Sequence, residues 1–112
     1  MTLPHNHGQE IEKHFEHMPK EESFHVVADV FKLLSDSNRV RIFWMLCHCE
    51  ECVINISALM EMSSPAVSHH LRLLKDNGLI TSRRDGKEVY YKAAETEQAE
   101  MLHQAIEKMA RI

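Results

Sequence analysis

The sequence has few of the residues that interrupt regular structure, with only three Gly and three Pro among 112 residues. This excludes a collagen-like, low-complexity or wholly disordered chain. No apolar run approaches the ~20 residues that cross a bilayer, so we expect no membrane partner. The first residues, MTLPHNHGQE, lack the basic and apolar regions of a secretory signal. We therefore expect a cytoplasmic protein with a single folded domain.

Positive charge is also scarce, because 13 Lys and Arg stand against 17 Asp and Glu, for a formal net charge of −4. The basic residues are nevertheless concentrated. Residues 64–92 contain six Lys or Arg and three Asp or Glu, so this segment carries +3 and the rest of the chain −7. Binding of a polyanion depends on where charge sits rather than on the total. The segment is therefore a candidate nucleic-acid contact.

The spacing of apolar residues predicts helices along most of the chain. Ser23 is the expected N-cap of one helix, and Ser64, followed by Pro65, that of another. Asn77-Gly78 is expected to end the latter. The helix that contains Val40, Phe43 and Trp44 has so wide an apolar stripe that we expect it to be mostly buried. The expected helices cover about residues 9–18, 23–34, 37–49, 53–62, 64–77 and 95–112.

After residue 78 the spacing of apolar residues changes from about 3.6 residues, as in a helix, to 2 residues, as in a strand. The segments LITSRR and KEVYYKA flank Asp85-Gly86, which predicts a β-hairpin with a type I′ turn. The fold class is thus mainly α with a small β-hairpin. A short helix, a tight turn, a second helix and a basic hairpin make a winged helix-turn-helix. We assign this domain to residues 21–112 and a His-rich N-terminal arm to residues 1–20.

The helix beginning at Ser64 has the pattern of a DNA recognition helix. If Val67, Leu71 and Leu74 face the core, short polar and basic side chains occupy the opposite face, and the helix N-terminus attracts phosphate. Arg can read guanine, and a basic hairpin tip can reach the neighbouring backbone. We expect contacts with double-stranded operator DNA from Ser64, Ala66, Ser68, His69, His70 and Arg72 on the helix and from Arg83, Arg84 and Lys87 on the hairpin. For His69 and His70, packing is the alternative.

The segments LLSDSNRVRIFWML and SSPAVSHHLRLLKDNGLITSRRDGKEVYYKA resemble the ArsR/SmtB family of bacterial metal-responsive repressors, over about residues 27–94. The resemblance implies a homodimer that holds an operator until an inducer weakens binding. It also implies that the helices around residues 26–34 and 95–112 form the dimer interface. The apolar faces of these helices are too large to remain exposed on so small a domain. They contain Val26, Val30, Leu102, Ile106 and Met109.

Two metal sites of that family are incomplete in this chain. One uses Cys-x-Cys in a stretch like ELCVCDL, but the text here is EECVINI, so Cys52 is present and Ile54 replaces the second thiol. The other pairs the C-terminal helices of two subunits. The matching positions here are Glu95, Glu97, Lys108 and Arg111. Because cationic Lys and Arg cannot ligate a metal, this second site is lost, although His103 and Glu107 still form an (i, i+4) pair of a kind that is common by chance.

What the chain has instead is Cys47-His48-Cys49-x-x-Cys52 and a total of nine His, five of them before residue 26. Three clustered Cys without a secretory signal do not indicate a disulfide framework. Thiolates and imidazoles suit soft or borderline ions such as Zn²⁺, Cd²⁺, Pb²⁺ or Cu⁺. We predict a tetrahedral site from Cys49 and Cys52 with ligands from the arm, which either the same or the other subunit can supply. The candidate metal ligands are Cys47, Cys49, Cys52, His14 and His17, and for Cys47 a place in the apolar core is the favoured alternative.

These observations predict a metal-responsive transcriptional repressor that releases operator DNA when the ion binds. A thiol-based sensor of oxidants or sulfur species is the alternative, because one thiol can be oxidised to a sulfenic acid that then forms a disulfide with its neighbour. The His-rich arm alone would suit a metal-buffering protein. We expect no enzyme, since the sequence lacks a nucleophile elbow, a phosphate-binding Gly-rich loop and HExxH.

Overall fold

A computed structural model describes residues 2–111, which form six helices and one three-stranded sheet. The order agrees with the predicted winged helix-turn-helix, in which two helices and a hairpin follow a buried helix. The elements are α1 (Ile11–Glu16), α2 (Glu21–Leu33), α3 (Ser37–Leu46), β1 (Glu51–Cys52), α4 (Val53–Met60), α5 (Ser64–Asp76), β2 (Ile80–Asp85), β3 (Glu88–Ala93) and α6 (Glu97–Ala110). Ile112, where the last helix was expected to end, lies outside the described residues.

The core joins α3, α4, α5 and the start of β2. Asp36 begins α3, because its carboxylate accepts hydrogen bonds from the backbone N–H groups of Asn38 (2.9 Å) and Arg39 (3.1 Å). The most buried large side chains are each at most 2% exposed, and each stabilises the fold by about 1.5–3 kcal/mol. They are Ile42, Phe43, Leu46, Ile56, Val67, Leu71, Leu74, Leu79 and Ile80. This core holds α5 against α3 and α4.

Two helix starts differ from the predicted ones by a short distance. α2 begins at Glu21 with Lys20 as its N-cap, so Ser23 lies within the first turn. The N-cap of α5 is Ser63, one residue before the predicted Ser64, because its hydroxyl accepts a hydrogen bond from Ala66 N–H at 3.3 Å. Adjacent serines can each supply this acceptor, and the sequence does not distinguish them. The expected end of α5 is confirmed, with Gly78 in the left-handed region (φ 76°).

The sheet has the antiparallel order β1-β3-β2. β1 pairs Glu51 with Tyr91 and Cys52 with Tyr90, and two residues are too few to show alternation in the sequence. Asp85 pairs with Glu88, so the hairpin turn is Gly86-Lys87 rather than the predicted Asp85-Gly86. Of these two turn residues only Gly86 has positive φ (64°), which is the pattern of a type II′ turn rather than type I′. Lys87 consequently lies at the tip.

The N-terminal helices extend away from the core. The radius of gyration is 18.9 Å, against about 13 Å for a compact domain of this length, and the long dimension is 63 Å. α1 buries no residue and α2 buries only Leu33, at its C-terminal end. The outward side of α2 is apolar, with side chains 46–69% exposed. These are Phe24, Val26, Val27 and Phe31. Within residues 2–111 no helix combines the length and apolar character needed to cross a membrane.

Candidate nucleic-acid interface and metal-ligating cluster

The helix-turn-helix consists of α4, a turn of residues 61–63 and α5. Glu61 makes the sharp change of direction with φ at 53°, in the left-handed region. The hydroxyl oxygens of Ser57 and Ser64 lie 3.2 Å apart and join the two helices across the turn. Because Val67 and Leu71 on the inner face of α5 are buried, the opposite face of α5 is directed outward.

Most of the predicted DNA-contacting residues of α5 lie on that outward face, which we call the α5 strip. Arg72 Nη2 donates a hydrogen bond to His69 Nδ1 at 3.2 Å, so the imidazole lone pair at Nδ1 is used within the helix. Ala66 is half-buried and the other members are exposed. The strip consists of Ser64, Ala66, Ser68, His69 and Arg72. It offers hydroxyl, imidazole and guanidinium groups suited to base edges and phosphates.

His70 does not belong to the α5 strip, which corrects its predicted place among the DNA-facing residues. It is only 8% exposed, because it lies three residues after Val67 and four before Leu74 on the inner face. Arg39 Nη1 donates to His70 Nδ1 at 3.2 Å, and Arg39 Nε donates to the carbonyl of Leu33 at 2.7 Å. His70 therefore joins α5 to α3 and to the end of α2.

The environment of His70 favours its neutral form. Burial lowers the pKa of His70, the nearby charge of Asp36 raises it, and the charges of Arg39 and His69 lower it further. A neutral imidazole is the state that accepts the hydrogen bond from Arg39 at Nδ1. The packing alternative stated for this residue agrees with the structure.

The first wing arginine is engaged with the protein itself. Arg83 donates from Nε to both carboxylate oxygens of Glu50 at 3.0 Å and from Nη2 to Glu50 Oε1 at 2.6 Å. Its guanidinium carbon also lies 4.9 Å from the centre of the Tyr90 ring. The hydrogen bonds with Glu50 raise the pKa of Arg83, and the same bonds lower the pKa of Glu50. Arg83 thus braces the wing against the segment before β1.

The other wing cations are free to meet a ligand. Arg84 and Lys87 are exposed, and within residues 2–111 neither makes an ion pair. Strand alternation turns Arg84 to the face opposite Arg83, and the Gly86-Lys87 turn carries Lys87 to the tip. Of the three predicted wing contacts, these two have the geometry of phosphate-binding side chains.

The three cysteines are free thiols in three different settings. Cys47 is half-buried just after α3. Cys49 is exposed, and its Sγ donates to the carbonyl of Met45 at 3.3 Å. Cys52 is buried, and its backbone pairs with Tyr90 in the sheet. Within residues 2–111 of one chain, these thiols do not belong to any group of three or more convergent ligand atoms.

Two of these thiols, those of Cys47 and Cys49, hold their protons. Burial raises the pKa of Cys47 to about 11, with the negative charges of Glu100 and Glu107 acting in the same direction. Burial, followed by the charge of Glu51, raises the pKa of Cys49. Thiolate is the form that ligates metals and attacks oxidants. Neither side chain is therefore activated in a single chain.

The predicted arm ligands do not join the cysteines in one chain. His14 lies in α1 and His17 follows it, both exposed to solvent. Residues 2–20 of the arm include no buried residue through which the arm could pack on the domain. Neither histidine belongs to a convergent group of three ligand atoms within residues 2–111.

One convergent group of ligand atoms is present in the described part of the chain, and we call it the α3–α6 cluster. It consists of His48, just after α3, and of His103 and Glu107 on α6. His103 Nε2 lies 2.7 Å from Glu107 Oε1, His48 Nε2 lies 3.2 Å from the same oxygen, and the two Nε2 atoms lie 3.1 Å apart. The ring of His48 packs on Trp44, with centroids 4.3 Å apart.

The electrostatics of the α3–α6 cluster favour an anionic carboxylate. Burial would raise the pKa of Glu107, but hydrogen bonds and charge from His103 and His48 outweigh it and lower the pKa. The (i, i+4) spacing of His103 and Glu107 is visible in the sequence, but His48 is not among the ligands predicted from it. Its only signal was the position between Cys47 and Cys49, and nothing local indicates that the end of α3 meets α6.

Comparisons with known proteins agree with this geometry. The family model described as bacterial regulatory protein, arsR family, matches residues 36–82. A cadmium resistance transcriptional regulatory protein CadC homolog of Staphylococcus aureus is 48% identical over 66 residues, covering 58% of this chain and 54% of that protein. A transcriptional repressor SmtB homolog of Synechocystis is 41% identical over 69 residues, covering 62% and 52%. The chain thus spans about half the length of these curated relatives.

A solved structure gives the same fold over most of the chain. The homodimeric winged helix-turn-helix DNA-binding domain of a regulator from Mycobacterium bovis superposes with a TM-score of 0.71 at 28% identity. The match covers 84% of this chain and 88% of that one. The winged helix-turn-helix predicted from the sequence is confirmed.

Proposed function

Because the family model described as bacterial regulatory protein, arsR family, matches residues 36–82, we propose that this chain is a metal-responsive transcriptional repressor of that family that binds operator DNA as a homodimer. The observation that carries this proposal is the combination of the α5 strip with the exposed wing cations Arg84 and Lys87. Both lie in the +3 segment of a chain that is acidic elsewhere. A solvated surface helix would not need a basic hairpin beside it.

In the proposed complex with DNA, helix α5 and the wing have different roles. Helix α5 enters the major groove with its N-terminus leading, and there Arg72 reads guanine and Ser68 and His69 contact bases or phosphates. Arg84 and Lys87 neutralise phosphates beside the groove and carry no sequence information. Arg83 supports the wing through Glu50.

A homodimer explains the exposed side of α2. Phe24, Val26, Val27 and Phe31 form an apolar surface that a domain of this size does not leave in water. On α6, Met101 and Met109 are exposed, whereas Leu102 and Ile106 pack partly against the core. We therefore assign α2 and the outward side of α6 to the interface. Sedimentation at micromolar concentration without DNA or metal should give a dimer, and a monomer would contradict this assignment.

The donor set supports an inducing ion of the borderline or soft classes, among which we propose Zn²⁺, Cd²⁺ or Pb²⁺. Imidazole, carboxylate and thiol groups are concentrated between the end of α3 and α6. The predicted thiol site of Cys49 and Cys52 would need ligands from the partner subunit. A thiol-based sensor is less well supported, since the raised pKa of Cys47 and of Cys49 keeps those thiols protonated.

The test is a fluorescence anisotropy titration of labelled duplex DNA selected by this protein from a random-sequence pool. We expect a tight complex that is lost on addition of one or more of Zn²⁺, Cd²⁺ and Pb²⁺, and that persists with Mg²⁺. A parallel titration with hydrogen peroxide tests the thiol-sensor alternative. Release by peroxide without release by any metal, or failure to select a sequence at all, would contradict the proposed function.

A further inference from the structure

We propose that His48, His103 and Glu107 form a metal site that takes a divalent ion of the zinc class. This inference deepens the proposed function, because it names the ligands and the kind of ion to which the repressor responds. It rests on that function only for its biological meaning. The site itself is testable on the protein without DNA.

The positions of the three ligand atoms support the site. Tetrahedral zinc with bonds of about 2.0–2.1 Å to nitrogen and oxygen separates neighbouring ligand atoms by about 3.3 Å. The atoms in the α3–α6 cluster are separated by 2.7, 3.1 and 3.2 Å. An opening of a few tenths of an ångström in side chains at the surface would admit the ion. The three atoms already face one point, although the residues lie up to 59 positions apart.

The donor types select the class of ion. Two imidazole nitrogens and one carboxylate oxygen form a set that zinc uses in three-ligand protein sites with a fourth position open. Imidazole also suits Co²⁺, Ni²⁺ and Cu²⁺, whereas thiolate-rich sets select softer ions. The α3–α6 cluster contains no sulfur ligand. It should therefore prefer Zn²⁺ to Pb²⁺.

The surroundings orient the ligands and leave a way in. The indole of Trp44 packs on the ring of His48 and restricts its rotation. His103 and Glu107 are one helical turn apart, which fixes their separation along α6. A cleft of about 590 Å³ opens on one side of His103 and is lined also by Cys47, Cys49 and Glu100. It gives an ion and a water molecule access to the site from the side of His103.

The site connects two parts of the molecule that matter for DNA binding. α3, which ends just before His48, packs against α5 through the buried core. α6 carries the other two ligands and the exposed apolar residues assigned to the dimer interface. An ion bound by His48 after α3 and by two residues of α6 would fix the position of α5, which packs on α3, relative to the dimer interface on α6. The spacing of the two recognition helices in a dimer depends on that relation.

The experiment measures metal binding by the full-length reduced protein in the absence of DNA. Isothermal titration with Zn²⁺ gives stoichiometry and affinity, and Co²⁺ absorption reports the ligand types. We expect one ion per chain, visible bands typical of four-coordinate Co²⁺, and no thiolate charge-transfer band in the near ultraviolet. His48→Gln and His103→Gln should each weaken Zn²⁺ binding by about 100-fold or more, because each removes one of three protein ligands.

Matched variants make the result specific. His69→Gln changes an exposed histidine on the α5 strip and should leave Zn²⁺ affinity unchanged. The double variant Cys49→Ser and Cys52→Ser should also bind Zn²⁺ normally. Circular dichroism verifies folding, and His48 is exposed at a helix end, so its replacement should not disturb the core.

Three outcomes would overturn the site. One is a wild-type protein that binds no Zn²⁺, in which case the cluster is only a hydrogen-bonded contact between helices. Another is undiminished binding by both His48→Gln and His103→Gln. The last is a thiolate band that disappears in the cysteine double variant, which would place the ion at Cys49 and Cys52 instead. A DNA-release assay separates this inference from the proposed function: if metal still releases DNA from His103→Gln, the repressor function stands and the ion that releases DNA is held elsewhere.

Discussion

The α5 strip and the α3–α6 cluster both contain histidine, but they use it in opposite ways. In the strip, His69 is exposed, and within residues 2–111 its side chain is hydrogen-bonded to Arg72 of the same helix alone. In the cluster, His48 and His103 face each other and one carboxylate. The strip is made from neighbours in sequence and needs an external partner. The cluster joins distant segments, and its position makes it suited to control rather than to recognition.

The two regions differ most at Cys47, which lies beside the α3–α6 cluster and whose pKa is raised by burial and, to a smaller extent, by the charges of Glu100 and Glu107. With a pKa of about 11, roughly one thiol in 10⁴ is ionised at pH 7, so alkylation should be on the order of a hundredfold slower than for an ordinary cysteine. The rate should increase about tenfold per pH unit. Labelling with iodoacetamide, followed by mass spectrometry of metal-free reduced protein, measures it. Labelling of Cys47 as fast as free cysteine would restore the thiol-sensor alternative.

The next largest expected difference is in salt dependence, because salt should weaken DNA binding by the strip and wing much more than Zn²⁺ binding by the cluster. DNA binding by the strip and wing of two subunits should give a slope steeper than about −3 in log K against log salt, which is about a 60-fold loss between 50 and 200 mM. Zn²⁺ binding at the short-range cluster should change far less. Anisotropy and calorimetry over the same salt series provide both numbers. A DNA slope near zero would remove the electrostatic basis of the interface.

Two adjacent wing arginines offer a smaller and well-matched contrast. Arg84→Ala should weaken all DNA sequences alike by several-fold and reduce the salt slope by about one, because it removes a phosphate contact. Arg83→Ala should reduce the slope less, since this guanidinium is already bound to Glu50. Its main effect should be a less stable wing, visible as faster amide exchange in β2 and β3. Equal effects of the two variants on the slope would show that Arg83 leaves Glu50 to meet DNA.

The smallest expected effect concerns His70, the histidine that belongs to neither region. Because the pKa of His70 is lowered in the folded protein, the neutral side chain contributes full stability above its ordinary pKa of about 6.5. That contribution is lost as the pH falls through 6.5 towards the lower folded value, at no more than about 1.4 kcal/mol per pH unit for one proton. His70→Asn keeps an acceptor for Arg39 and should flatten this part of the profile. Urea unfolding between pH 5 and 8 provides the measurement, and an unchanged pH profile would contradict it.

The regions also differ in how much of them could be predicted from sequence. Helical period, the serines before Pro65 and the Asn77-Gly78 stop predict α5, and the change to period 2 predicts the wing. The same period could have assigned His70 to the inner face, since it stands between Val67 and Leu74. The local sequence pattern is sufficient for prediction where all the residues of a structural feature belong to one helix or one hairpin.

Features made by packing between elements could not be predicted in this way. β1 is two residues long and exists only because β3 passes beside it. The bond of Arg83 to Glu50 spans 33 residues, and that of His48 to Glu107 spans 59. No propensity or spacing encodes such distances. For this reason the sequence directed attention to the clustered cysteines and not to the α3–α6 cluster.

The most direct test of the account is the change in operator affinity on saturation with Zn²⁺, compared between wild type and His103→Gln at one salt concentration. We predict that Zn²⁺ weakens wild-type binding at least tenfold, about 1.4 kcal/mol, and that operator binding by the variant does not change. By linkage, operator DNA must weaken Zn²⁺ binding to the wild type by the same factor. An equal loss of operator affinity in both proteins would show that the switch lies elsewhere and contradict the claim that the α3–α6 cluster controls the α5 strip.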